Sequence, residues 1–386
     1  MDDDAYVPFA GLRRNARALL GGGVLLAALF LLPDLTPPPA TPPPVDLAHG
    51  RLEAFLAPSD DPLTPDVRVT VLDGELAGTV VEAYLQGPAG QQDLPEYRVG
   101  DEVIVSFSIQ PDSTFVAVSD RYRVPLFGLI IGLFALGVTA AGGWRGIRSL
   151  LALALTIGVV ARIVVPLLLA GWDPVPLAVV SGTAVTLVTI LLTEGFRWAS
   201  VAAVAGTFAA LLLTAALAAV ASILAGFTEY QGQEAAVFLQ TIGRDDLDIS
   251  GLLLAGVIFG ALGVLDDVTV TQAATVHELA AADPAASASD LAARSMNVGR
   301  SHIAATVNTL VLAYLGASLP LLVLFAAGGA DPLLIASGET VAVEIVRSLV
   351  GSIGIVAAVP FTTAIAVLLI RRAGAPGVPL GRGRHG

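Results

Sequence analysis

The sequence contains eight apolar runs that are long enough, or nearly long enough, to cross a lipid bilayer. A bilayer core of about 30 Å requires roughly twenty apolar residues in a helix. The chain is 55% apolar and only 14% charged, which fits an integral membrane protein and not a soluble globular one. We therefore predict an α-helical polytopic membrane protein with about eight transmembrane helices. The predicted spans are 18–32, 124–143, 149–170, 175–193, 199–226, 250–271, 302–327 and 349–370.

The placement of arginine predicts the orientation of these spans. Arg13, Arg14 and Arg17 precede the first span, and basic residues concentrate on the cytoplasmic side of membrane proteins. Alternation of the spans then puts Arg371 and Arg372 on the cytoplasmic side as well. The predicted topology has both termini inside.

The spans and the local composition predict a domain plan. The plan consists of a cytoplasmic N-terminus (1–17), an anchor span (18–32), a proline-rich linker (33–45), an extracytoplasmic β-rich domain (46–121), a seven-span helical domain (122–372) and a cytoplasmic tail (373–386). A basic start and a short apolar core would also fit a cleaved signal peptide in place of the anchor. The following PDLTPPPATPPP lacks a small-x-small cleavage site, which favours the anchor.

The segment from Asp66 to Asp120 has the composition of a small β-domain. VRVTVLDG, LAGTVVEAYL, DEVIVSFSI and STFVAVSD are rich in β-branched residues and separated by turn residues. A turn feeding a strand, as in RVGDEVIV, is common in small barrels such as the OB-fold. Fifteen acids against five arginines between Asp34 and Arg123 argue against nucleic acid as a partner.

Two adjacent carboxylates, Asp266 and Asp267, are the leading candidates for function. The apolar part of their span, Gly251–Leu265, has fifteen residues, or about 22 Å of helix. This is shorter than a bilayer core, so the pair is predicted inside the membrane boundary. An intramembrane carboxylate costs about 2.5–3.5 kcal/mol and marks a functional site by default. The alternative is a helix that enters lower and leaves both acids among the headgroups.

Polar residues of other spans are predicted at the depth of this pair. Thr186, Thr189 and Thr193 share one face of the fourth span, and Asn308 lies about 9 Å from the start of the seventh at His302. The eighth span contributes Pro360, Thr362 and Thr363. We predict that these groups form one polar layer.

Helical periodicity extends the candidate path toward the cytoplasm. Asp266 and His277 lie on one stripe of the sixth span, and the neighbouring stripe carries Asp267, Thr271 and Glu278. A solvated helix end is the favoured interpretation of His277 and Glu278 over a metal site, since H-E-L lacks the second histidine of H-E-x-x-H.

Arg162 falls within the third span. It lies about 20 Å from the start of that span and is predicted in the opposite leaflet from Asp266. Snorkelling outward or pairing with Asp173 is therefore the favoured interpretation, and Arg162 is a further candidate site residue.

A cluster of Asp245, Asp246 and Asp248 precedes the sixth span. Capping of the helix is favoured over a calcium or magnesium site, because no EF-hand spacing is present. The chain has no cysteine, which excludes disulfides and thiol chemistry. Nucleotide-binding and serine-hydrolase motifs are also lacking. We predict no catalytic residues, metal or cofactor.

Several motifs resemble the YibE/F family of bacterial multi-pass membrane proteins. They are GGWRGIRSLLAL, PLLLAGWDP, GRDDLDISGLLLAGVIFGALGVLDDVT, LDDVTVTQAATVHEL and NVGRSHIAATVNTLVLAYLGASLPLLVLF. The resemblance extends from the β-domain near Val67 through the seventh span. It implies a bacterial plasma-membrane protein with an exported β-rich segment, and it supplies no reaction.

The leading hypothesis is a transporter or permease in which the two carboxylates respond to protons or cations. Its partners would be the lipid bilayer, a proton or cation, and an unidentified small molecule or protein. The alternative is an envelope assembly or scaffold factor that acts through the β-domain. A third possibility, an intramembrane enzyme acting on lipid, has only the two carboxylates in its favour.

Overall fold

A computed structural model describes residues 12–37, 46–57, 64–74, 76–85, 97–110, 113–227, 247–329 and 331–373. Most of the predicted linker, the Asp245–Asp246 pair and the tail from residue 374 lie outside these residues. The chain divides into two compact units. One contains the β-strands and the start of the helix after them, through Gly137, and the other contains the first helix and the helices from Val138 onward.

The β-strands form a closed five-stranded barrel, as the sequence predicts. The strands are β1 (Asp46–Phe55), β2 (Val67–Val71), β3 (Val80–Leu85), β4 (Glu102–Gln110) and β5 (Ser113–Arg121), in the order β1-β2-β3-β5-β4. The β3–β5 pair is parallel, and the other pairs are antiparallel. Alternation drives the fold: Val67, Val69 and Val71 are fully buried, whereas Arg68 between them is exposed.

Strand β1 is absent from the predicted strands. Its sequence, DLAHGRLEAF, mixes charged residues with a central glycine and does not alternate cleanly. Gly50 is needed there because a Cβ would come 2.6 Å from Val69 Cγ1 and 2.9 Å from Val105 Cγ2. Strand β1 pairs with both β2 and β4, and these pairings help to close the barrel.

The helical segments support the predicted membrane class. They are α1 (Leu12–Leu31), α2 (Val124–Val159), α3 (Val165–Leu169), α4 (Pro174–Thr193), α5 (Trp198–Ala225), α6 (Ile249–Ala282), α7 (Ala288–Ala317), α8 (Leu319–Ala327), α9 (Pro332–Ser337) and α10 (Glu339–Ala373). Five segments are long and apolar enough to cross a bilayer: Val124–Leu169, Pro174–Thr193, Trp198–Ala225, Ile249–Ala282 and Glu339–Arg372. A shorter apolar helix covers Ala18–Leu31.

The second and third predicted spans form one 46-residue helical segment. A straight helix of that length would extend about 69 Å, twice the thickness of a bilayer core. Gly143 interrupts it with a backbone φ of 54° and ψ of −132°, a conformation that favours glycine.

The stretch between the sixth and seventh predicted spans, 272–301, is mostly helical. Helix α6 continues to Ala282, and α7 already begins at Ala288, where Ser287 caps it by accepting from the backbone N–H of Asp290 at 3.1 Å. Alanine has the highest helix propensity, which explains why this polar stretch is helical. The seventh predicted span, 302–327, is divided between the end of α7 and α8.

Helix α6 packs against α4, α5, α7 and α10 at the centre of the helical unit. Ile258 and Leu265 of α6 are fully buried there with Leu211 of α5 and Ala358 of α10. Gly182 of α4 allows a close approach, since a Cβ would lie 3.4 Å from Leu262 Cδ2. The polar residues of α6 are thereby carried into the interior.

Candidate functional site

Asp266 and Thr186 meet where α6 packs against α4. The Thr186 hydroxyl donates to Asp266 Oδ1 at 2.6 Å. Thr186 is fully buried, and Asp266 is half-buried. The structure thus joins two predicted site residues that lie 80 positions apart.

One turn along α6, Thr269 links that helix to α5. Its hydroxyl lies 2.8 Å from the hydroxyl of Thr207 and also donates to the backbone oxygen of Asp266 at 3.2 Å. Thr207 and Thr269 are both fully buried. Thr362 of α10 sits against Gly206 of α5, and its buried hydroxyl has no hydrogen-bond partner among the described residues.

Gln272 joins α6 to two further helices. Its side-chain amide donates to the backbone oxygen of Ser295 at 3.1 Å and to the Thr363 hydroxyl at 2.7 Å. Gly299 of α7 gives it room, because a Cβ there would come 2.8 Å from Gln272 Oε1. The Ser295 hydroxyl is buried and lacks a partner in the described part of the chain.

These contacts form two hydrogen-bonded groups, one around Asp266 and one around Gln272, which together make up a polar layer shared by five helices. We use that term for the set Thr186, Thr207, Asp266, Thr269, Gln272, Ser295, Thr362 and Thr363. Asp266 supplies its charge, and the other groups are neutral hydroxyls and an amide. A carboxylate that meets a hydroxyl of another helix can bind a proton or a small hard cation.

Asp267 and Thr271 lie outside the polar layer. Both are exposed on the surface of the helical unit, since they occupy the helical stripe next to that of Asp266. The two adjacent carboxylates therefore differ in surroundings, and only Asp266 meets a hydroxyl of another helix in the described contacts.

Two further predicted residues do not join the layer. The Thr189 hydroxyl donates to the backbone oxygen of Thr186 in its own helix at 3.1 Å. Asn308 is exposed on α7, where Leu310 is the residue that turns inward. The sequence prediction estimated only the depth of these residues along their helices. Depth does not determine which way a side chain faces, so the two residues were wrongly expected to face the layer.

His277 and Glu278 line a small cleft at the end of the bundle where α5 begins. Glu194, Arg197 and Ser200 also line it, and the cleft encloses about 40 Å³. That volume is sufficient for one or two waters. Glu194 and Arg197 are missed by the sequence prediction, because they belong to a connection 80 residues earlier.

Arg162 is held by the segment after α1, and this corrects the predicted pairing with Asp173. Arg162 donates to the backbone oxygen of Leu32 at 2.7 Å, and it lies 4.0 Å from Asp34. Asp173 instead caps α4 by accepting from the backbone N–H of Val175. The hydrogen bond from the backbone N–H of Thr36 lowers the pKa of Asp34, and Arg162 adds to this.

Helix capping accounts for the described member of the aspartate cluster. Asp248 accepts from the backbone N–H of Gly251 at 2.8 Å, at the first turn of α6. Among the described residues, no group of three or more metal-ligating side chains has the geometry of a metal site.

Thr207, Thr269, Gln272 and Ser295 are missed by the sequence prediction. Gln272 is the one whose signal could have been noticed, as an amide within a long apolar helix. The hydroxyl residues carry no such signal, since threonine and serine also satisfy themselves by bonding one turn back in their own helix.

The YibE/F-like protein family matches residues 130–372. This chain belongs to the YibE/F-like family. The matched range begins beyond the barrel, from which the resemblance was predicted to start, and continues past the seventh predicted span through most of α10. The polar layer of this YibE/F-like chain lies wholly within the family region. No curated protein and no solved structure matches the chain.

Proposed function

We propose that this chain is a multi-pass plasma-membrane transporter or permease in which Asp266 binds and releases a proton or a small cation. The polar layer is the observation that carries the proposal. A carboxylate and seven neutral polar groups are costly inside apolar helices, and intramembrane polar residues usually mark ion or substrate pathways. Sites of this kind form between helices near the middle of transporters.

The proposal includes the predicted topology, with both termini in the cytoplasm and the barrel outside. The polar layer then belongs to the cytoplasmic half of the membrane, and the cleft of His277 and Glu278 would be its inner exit. Thr186 stabilises the ionised form of Asp266 by donating to it. Binding of a proton or cation would neutralise the carboxylate and weaken this link between α4 and α6.

The test is proton uptake by the purified chain in liposomes, driven by a membrane potential and reported by an internal pH dye. Asp266→Asn should lower uptake at least tenfold, because it removes the titratable group and keeps the shape. Asp267→Asn should have a smaller effect, and the double variant should be inactive. Asp283→Asn is the control, since Asp283 forms an exposed pair with Arg294. Normal uptake by a normally abundant Asp266→Asn protein would remove the proposal.

Water access along α6 provides an independent test in a chain without cysteine. Single cysteines at positions 262–278 would be treated with a membrane-impermeant thiol reagent in inverted and right-side-out vesicles. A path through the polar layer predicts a labelled stripe on the face of Asp266, Thr269 and Ala273 that reaches past Gly263. Labelling only at the cytoplasmic end beyond Leu265 would support the alternative in which both acids lie among the headgroups.

A barrel pocket favours the second candidate, an envelope assembly or scaffold factor. His49 stacks on Tyr122 with ring centroids 3.7 Å apart, and both line a pocket of about 330 Å³ with Asp73, Arg121 and Arg123. A pocket of this size suits a small molecule or a partner side chain. Deleting residues 46–120 discriminates the two functions. If the deletion variant keeps proton uptake but loses cellular function, the scaffold role is favoured. If cellular function is lost in Asp266→Asn and kept in the deletion variant, transport is favoured.

A further inference from the structure

Helices α5 and α10 run antiparallel and meet through two reciprocal contacts. A Cβ at Gly206 of α5 would overlap the Thr362 hydroxyl of α10, and a Cβ at Gly354 of α10 would overlap the Thr214 hydroxyl of α5. Each contact seats a threonine of one helix on a glycine of the other. Gly354 lies 148 residues after Gly206, and Thr362 lies 148 residues after Thr214.

The same offset aligns the two helices without a gap. SVAAVAGTFAALLLTAALAAV (200–220) and SLVGSIGIVAAVPFTTAIAVL (348–368) are identical at seven of 21 positions. Five of these identities, a serine, a glycine, a threonine and two alanines, are buried in both helices. Ala210 and Ala358, both fully buried, lie midway between the two glycine–threonine contacts. A local two-fold axis near these alanines would exchange α5 and α10.

Each member of the pair also packs on an earlier helix of the bundle. Helix α4 precedes α5 and packs on it, α7 precedes α10 in the bundle and packs on it, and α6 contacts both α5 and α10. Antiparallel repeats related by an axis in the membrane plane are a common plan of transporters, with the ion site where the repeats meet.

At two positions of the buried face, a threonine of one helix corresponds to an apolar residue of the other. Thr207 corresponds to Ile355, and Thr363 corresponds to Ala215. Both threonines lie at the end of the pair where α5 begins, and both bond to α6: Thr207 to Thr269 at 2.8 Å, and Thr363 to Gln272 at 2.7 Å. At the other end the equivalent positions are apolar. The polar layer is therefore confined to one end of the pair by these two residues.

We infer that α5 and α10 are equivalent helices of an inverted repeat, and that Thr207 and Thr363 determine which small monovalent cation the polar layer accepts. This inference rests on the proposed function. A proton requires only the carboxylate of Asp266, whereas a metal cation such as Na⁺ must exchange its water shell for several oxygens. Neutral hydroxyls supply such oxygens, and the single carboxylate balances one positive charge.

The selectivity test measures proton uptake into proteoliposomes at increasing Na⁺. Na⁺ should compete with protons in the wild type. Thr207→Val and Thr363→Val should raise the Na⁺ concentration that halves uptake at least tenfold, because the hydroxyl is lost and the shape is kept. Thr207→Ser should behave like the wild type. Thr214→Val is the matched control, since its hydroxyl bonds within its own helix, to the backbone oxygen of Ala210. Absence of Na⁺ competition in the wild type, or an unchanged midpoint in the valine variants, would overturn the assignment.

The repeat itself is tested by stability and needs no substrate. Gly206→Ala and Gly354→Ala should lower the melting temperature by similar amounts. Thr214→Ala should rescue the second, because it removes the overlapping hydroxyl. Thr362→Ala should rescue the first in part, because the Cβ of residue 362 would still lie 3.0 Å from the new Cβ. Failure of Thr214→Ala to rescue Gly354→Ala, or of Thr362→Ala to give any recovery of Gly206→Ala, would refute the equivalence. Normal proton uptake by Asp266→Asn would instead refute the proposed function and leave the repeat to be judged by these melting temperatures.

Discussion

The barrel and the helical unit place their polar groups on opposite sides. In the barrel the core is built from apolar side chains such as Leu52, Val69 and Val105, and the pair of Arg68 with Glu82 lies outside. In the helical unit large apolar residues such as Ile223 and Leu224 are exposed, at 79% and 82%, whereas the hydroxyls of Thr186 and Thr207 are buried among apolar side chains. This difference is the one that we expect if water surrounds the barrel and hydrocarbon surrounds the apolar helices.

The largest effect is expected in the barrel core. Leu52→Ala should destabilise the barrel by about 3 kcal/mol, because a fully buried side chain leaves a cavity. Val99→Ala is the control, since Val99 is exposed and should change stability by less than about 0.5 kcal/mol. Denaturant unfolding followed by circular dichroism measures both. Equal effects of the two changes would mean that the barrel has no packed core of this kind.

In the helical unit, the break in α2 depends on a glycine with a backbone conformation that other residues rarely adopt. Gly143→Ala should cost about 2 kcal/mol, because an L-residue is strained at a φ of 54°. Gly142→Ala is a matched control one residue away, since a Cβ there meets open space and alanine favours helix. Thermal unfolding in detergent distinguishes them. A neutral Gly143→Ala change would indicate a continuous helix in this region.

Replacing Gln272 tests whether the buried polar contacts hold the helices together. Gln272→Leu should destabilise the helical unit by about 1 kcal/mol, because the Thr363 hydroxyl and the Ser295 carbonyl lose their donor. Adding Thr363→Val should recover part of the loss. The control is Thr309→Val, an exposed position whose hydroxyl bonds within its own helix. A more stable Gln272→Leu protein would show that this interior tolerates an apolar filling and that its polarity serves function alone.

The smallest effect is expected at the barrel surface. The hydrogen bond from Arg123 lowers the pKa of Asp120, and the backbone N–H of Arg121 adds to this. A lowered carboxyl pKa contributes stability that is complete above the ordinary value near 4 and is lost as pH falls through the lowered pKa. Arg123→Ala should therefore raise the pKa of Asp120 and flatten barrel stability below about pH 4. Carboxyl NMR titration measures this, and an unmoved pKa would contradict the pairing.

The membrane class and the barrel could be predicted from residue patterns, and Asp266 could be chosen as a candidate site residue in the same way. Apolar runs and strand alternation are local signals, and a carboxylate after a short apolar run is conspicuous. Exposed Asn308 and the partner of Arg162 could not be predicted, since both depend on how a helix is rotated and on which segment lies beside it. The same holds for Thr207 and Thr269, whose hydroxyls look like any others until two helices bring them together.

By itself, the sequence determined which surroundings each part of the protein requires. Long apolar runs require lipid around the helices, and alternating strands require water on one face of the sheet. Tertiary structure alone decided that Asp266 faces inward to Thr186 while Asp267 faces out, because a helix turns about 100° between neighbouring residues and only packing fixes its rotation. It also decided that α5 and α10 pack as antiparallel helices, with a glycine of each helix against a threonine of the other.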